Sequence, residues 1–184
     1  MDTELKDLID SFNSYKPINS QRLPDIELYM DQMISYLNKQ YSNLTQKDDS
    51  KAITPSMVNN YVKENVIPKP NHKKYNDNHL SSLLMLMCLK STFSISEIKD
   101  ILNFKSEEQI SDLYDKFVDM QSQAIKDINE STFSNLDIDE TINADEMRTL
   151  ILQLAIHSNT QAILAQRLYD LYIKDTPKQS RKNK

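Results

Sequence analysis

Apolar residues recur three and four positions apart along most of the chain, the spacing of one face of an α-helix. Leu5, Leu8, Ile9 and Phe12 mark a short amphipathic helix, followed by an irregular link through Pro17 and Asn19. Pro24 suits the first turn of a second helix reaching about Tyr41, with Ile26, Met30, Met33, Ile34, Leu37 and Tyr41 on one side. Residues 43–51 read as a polar loop. Thr54 then caps a helix with Pro55 in its first turn, and Pro68 limits that helix to about Asn65. Its apolar positions are Met57, Val58, Tyr61 and Val62. Asn76 can cap the next helix, which is apolar on most sides from Leu80 to Leu89 and belongs at the centre of a domain. Ser94 to Glu97 and Ser106 to Gln109 have capping-box spacing. The first opens a short helix through Leu102, the second a long one through Ile128. After a link at 131–141, a last helical region spans 143–173. Its polar middle, His157 to Thr160, leaves open one kinked helix or two. The expected fold class is all-α.

Composition sharpens this picture. The 184 residues contain no glycine, where average usage gives about 13. Phosphate loops and dinucleotide fingerprints require glycine and are excluded, and glycine-dependent type I′ and II′ hairpins are disfavoured. The sole cysteine, Cys88, rules out an internal disulfide and a four-cysteine zinc site, and its apolar neighbours suggest a small core residue. The acidic, amphipathic start does not resemble a secretory signal, and no run approaches the ~18 apolar residues of a membrane span. A cytoplasmic protein with no membrane association is expected.

The formal net charge of −5 is unevenly spread. Residues 51–90 hold six Lys or Arg against two Asp or Glu, whereas 91–173 hold six against fifteen. A basic tail, 175–184, reads as a disordered end. The positive block coincides with the helix after Thr54, and that coincidence points to nucleic acid. Ser56, Asn59, Asn60 and Lys63 lie opposite its apolar face, and an Asn amide can bind adenine N6 and N7 together. Lys69, His72, Lys73, Lys74 and Tyr75 follow as candidate phosphate contacts. His72, Asp77 and His79 make a poor metal set, and the three histidines and one cysteine assemble no catalytic grouping. Neither an enzyme, a metal nor a cofactor is expected.

The segment Ile53 to Leu102 resembles the MerR family of bacterial regulators. The order runs from Asn60-Tyr61 through Val66-Ile67-Pro68-Lys69-Pro70 and the step Lys73-Lys74-Tyr75 to a capped helix ending in Leu89-Lys90, closing on Phe93-Ser94-Ile95-Ser96-Glu97-Ile98. It is still more similar to an uncharacterised bacterial domain-of-unknown-function family that carries this MerR-like core. The resemblance implies a winged helix-turn-helix binding double-stranded DNA as a dimer. Asn59, Asn60 and Lys63 would face the major groove, and Lys73, Lys74 and Tyr75 would hold the backbone. The metal-sensing cysteines of that family have no counterpart, and the glycine-free wing is expected to be short or vestigial.

The expected organisation is an N-terminal helix and link (1–22), a MerR-like winged helix-turn-helix (23–104), a helical dimerisation or interaction region forming a hairpin or bundle (105–174), and the tail. The expected function is a MerR-like, DNA-binding transcriptional regulator, homodimeric through the C-terminal helices, with no effector identifiable. The alternative is a helical protein-interaction module, an adaptor or antirepressor, that has lost DNA binding.

Overall fold

The computed structural model describes residues 2–45, 52–103, 106–133 and 142–175. These residues form seven α-helices and one two-stranded antiparallel sheet. The helices are α1 (Asp2–Ser14), α2 (Met30–Thr45), α3 (Pro55–Lys63), α4 (Asp77–Leu89), α5 (Ile95–Ile101), α6 (Glu107–Ile128) and α7 (Ala144–Asp175). The strands are β1 (Leu28–Tyr29) and β2 (Lys74–Tyr75), with Leu28 opposite Tyr75 and Tyr29 opposite Lys74.

Side-chain caps set most helix starts. The hydroxyls of Thr54, Ser94 and Ser106 accept from the backbone N–H three residues on, at 3.3, 3.4 and 3.4 Å. Asn76 does the same for His79 at 3.3 Å, and its own N–H donates to His79 Nδ1 at 3.2 Å. A histidine thus completes the reciprocal box usually closed by Glu or Gln. The expected start of α2 at Pro24 is corrected. Residues 28 and 29 are drawn into the sheet instead, and the helix opens at Met30, with the Tyr29 N–H donating to Gln32 Oε1 at 2.9 Å. Ile26, expected on the apolar face, is exposed.

At α5 the box closes in both directions, because the Ser94 N–H also donates to Glu97 Oε2 at 2.7 Å. Hydrogen bonds from the Ser94 side chain first, and its backbone second, hold the Glu97 carboxyl below its ordinary value. Ser94→Ala is expected to cost about 1 kcal/mol in urea unfolding at pH 7. A depressed folded-state value stabilises above the ordinary carboxylate range and is lost as pH falls through the depressed value. The wild-type advantage should therefore shrink in acid, and a difference that does not change between pH 7 and pH 3 would remove the ionised carboxylate from the account.

The described chain forms two compact units, 1–140 and 141–184. In the first, α4 is the hub, and α6 packs along it more extensively than any other element. Leu80, Leu83, Met85 and Leu86 of α4 are almost fully buried with Met33 and Leu37 of α2, Val58 of α3, Ile98 of α5 and Tyr114 of α6. The Tyr114 hydroxyl donates to the Ile18 carbonyl at 2.7 Å, and Asp115 accepts from the backbone N–H and the hydroxyl of Ser20 at 3.0 and 2.9 Å. The link after α1 is thereby tied to α6. The division expected at 105 thus gives way to one that leaves α6 in the first unit: its buried Ile110, Tyr114 and Val118 complete that core. In the second unit, the region left open as one helix or two is the single 32-residue helix α7. Residues 176–184 of the basic tail lie outside the described residues.

Candidate nucleic-acid interface

Helix α3 is held from both ends. The Asn38 amide brackets Ile53, donating to its carbonyl at 3.2 Å and accepting from its N–H at 3.0 Å. Lys90 Nζ donates to the Ala52 carbonyl at 2.9 Å. At the other end the Val66 N–H reaches back to the Tyr61 carbonyl and the Asn65 N–H to the Val62 carbonyl. With Asn65 at φ 54°, this is a Schellman stop in which asparagine takes the left-handed position usually given to glycine. Lys99 Nζ donates to the Glu64 carbonyl at 2.7 Å, placing a cation at the negative end of the α3 dipole. Asn38 was legible in principle: an amide on the apolar face of α2, between Ile34 and Tyr41, signals a specific polar partner.

Inside this frame Val58 and Tyr61 are buried, Met57 and Val62 half-buried, and Ser56, Asn59, Asn60 and Lys63 exposed. The spacing 56, 59, 60, 63 puts these four on one face. The structure thus brings together all four residues expected to face bases.

The expected phosphate contacts divide into two groups. The chain between α3 and α4 turns sharply at Asn71 to Lys74, closed by the Lys74 N–H on the Asn71 carbonyl at 2.8 Å. Its central residues, His72 and Lys73, have φ of 47° and 64°, the signature of a type I′ turn. The expectation that a chain without glycine would avoid such a turn is corrected. The β1–β2 pairing fixes the strand on one side of the turn, so His72 and Lys73 adopt left-handed backbone that costs L-residues about 1 kcal/mol or more each. Both side chains are exposed at the tip, as is Lys69 before it.

Lys74 and Tyr75 face elsewhere. Lys74 is half-buried, with Nζ 3.5 Å from Glu27 Oε2 and 5.8 Å from the centre of the Tyr29 ring. Tyr75, expected on the DNA backbone, is 3% exposed and meets the His79 ring edge-on at 5.4 Å. Burial also raises its phenol pKa, keeping it neutral. It anchors β2 to the core and presents no surface to a phosphate. Strand alternation explains the pair, since adjacent residues of β2 point to opposite faces.

Two further surfaces stand out, of which the sequence reading missed the one at Cys88 and expected the other, on the C-terminal helix, as an interaction region. Cys88, expected in the core, is exposed and lines a cavity between α2, α4 and α6. The apolar walls nevertheless push its thiol pKa up. On α7 no side chain is buried, and Ile151, Leu152, Ile156, Leu164, Leu168 and Leu171 are all more than half exposed. Among the described residues, no helix is long and apolar enough to cross a membrane.

A family model described as Domain of unknown function (DUF1836) matches residues 18–117, from the link after α1 through the first half of α6. No curated protein and no solved structure matches the chain.

Proposed function

The chain belongs to the DUF1836 family, and from the side chains this domain exposes we propose that it binds duplex DNA as a homodimer and regulates transcription through a MerR-like winged helix-turn-helix. The observation that carries this reading is one exposed face of α3, with Ser56, Asn59, Asn60 and Lys63 free of the core, followed along the chain by a turn whose His72 and Lys73 are exposed. Amide and hydroxyl groups on a rigid helix suit base edges in the major groove. Lys69 and Lys73 suit phosphates on either side, and Lys74 contributes less because Glu27 already opposes its charge.

Dimerisation is assigned to α7. Met147, Leu150, Leu154, Leu164, Leu168 and Leu171 alternate in steps of three and four, with His157 and Gln161 in the middle. The pattern reads the same in both directions about Asn159. Two copies running antiparallel would therefore stack Leu154 on Leu164 and Leu150 on Leu168 of the second copy, a coiled-coil seam with a polar centre.

Fluorescence anisotropy with genomic duplexes selected by the purified protein tests the reading. Binding should weaken steeply with salt, by about 0.9 in log K per log unit of salt for each phosphate contacted. Asn59→Ala should lower the preference for selected over random duplex by roughly 1–3 kcal/mol, leaving random-duplex affinity unchanged. Equal loss on both duplexes would take Asn59 out of base reading. No binding to any duplex at 50 mM salt would favour the second reading, a helical protein-interaction module, for which the exposed leucines of α7 and the Lys74–Glu27 pair speak.

A further inference from the structure

The cavity beside Cys88 lies in the first unit and encloses about 400 Å³, within the range of small-molecule sites. Its walls are apolar and aromatic: Tyr15, Tyr41, Leu84, Met87 and Phe117 supply most of them. Two amides, Gln40 and Gln121, add hydrogen-bonding groups. The one cation is Lys90, and no carboxylate is among the described residues that line the space. Lys90 spends one of its three donors on the Ala52 carbonyl and stands 6.0 Å from the centre of the Tyr41 ring. Tyr114 takes no part as a donor, because its hydroxyl is committed to Ile18.

We propose that this cavity is a binding site for a small aromatic monoanion, its ring system held between Tyr41, Leu84 and Phe117 and its carboxylate or sulfonate met by Lys90. Charge complementarity selects the anion. Among the described residues of these walls no carboxylate would meet a cationic ligand, whereas an anion adds a charged acceptor for the Lys90 donors that the Ala52 carbonyl does not use, and a neutral ligand adds none. The site stands independently of DNA binding and can be tested without it.

Cys88 is the only cysteine of the chain, so its alkylation reports on this cavity alone. The probes are anilinonaphthalene sulfonate and its neutral counterpart N-phenyl-1-naphthylamine, used with the full chain. The sulfonate should bind one per chain in the cavity, about tenfold more tightly than the neutral probe, and saturation should slow iodoacetamide alkylation of Cys88 by at least about tenfold. Lys90→Met should remove the preference for the sulfonate while the neutral probe still protects Cys88. Fluorescence enhancement with no protection of Cys88 would put the dye on another surface, such as the exposed leucines of α7, and overturn the proposal. So would a preference for the sulfonate that survives Lys90→Met. Protection in unsubstituted protein needs no variant to fold, so the first arm stands whatever Lys90→Met does to stability.

Discussion

Replacing Lys69 and Lys73 together by glutamate is expected to weaken duplex binding by roughly 200-fold at 50 mM salt and to reduce the salt slope by about 1.8 units, two contacts at about 0.9 each. The loss should be the same on selected and random duplexes, because phosphates carry no sequence. Lys74→Glu is the internal comparison. Its ammonium already faces Glu27 and the Tyr29 ring, so its removal should change the slope by much less. An equal effect of all three lysines would mean that the turn at 71–74 has no special role.

The turn allows a sharper version. Lys73 sits at φ 64°, where glycine is at ease and lysine is not. Lys73→Gly should therefore raise stability, by about 0.5–1 kcal/mol after the entropy of the unfolded glycine is counted, while lowering DNA affinity. Opposite signs in urea unfolding and anisotropy separate a lost contact from lost structure. A variant that is both more stable and equally tight would show that the strained lysine serves no phosphate.

The second large effect concerns α7. Leu154→Glu with Leu164→Glu should convert the proposed dimer to a monomer in sedimentation velocity and cost at least about 100-fold in affinity for a two-site duplex, since a tethered second head binds at an effective concentration near millimolar. In the antiparallel arrangement position 154 faces 164 of the second copy. Leu154→Glu with Leu164→Lys then places opposite charges together and should regain part of the association. A parallel pair would set like against like in both variants, so equal monomerisation by the two would refute the antiparallel seam. A wild-type monomer would remove dimerisation outright.

Much of this architecture was legible residue by residue. Thr54 with Pro55, Asn76, Ser94 and Ser106 each mark a helix start that the structure realises within a residue or so. The apolar and polar faces of α3 follow from spacing alone. Such signals are local: a cap bonds three residues away, and a helical face is set by a 3.6-residue period. The candidate base-reading face was therefore visible before any tertiary contact was known.

The wing was not. Nothing near Leu28 announces that it pairs with Tyr75, yet that pairing shortens α2, buries Tyr75, turns Lys74 toward Glu27 and forces His72 and Lys73 into left-handed backbone without a glycine. The same holds for α6, whose periodicity suits a dimer or a core equally well until α4 takes its apolar face. By itself the sequence determined where helices begin and which faces they bury. Only the tertiary structure decided which faces meet, which cations stay exposed and that a cavity opens beside Cys88, because those outcomes depend on partners distant in the chain and on the space left between them.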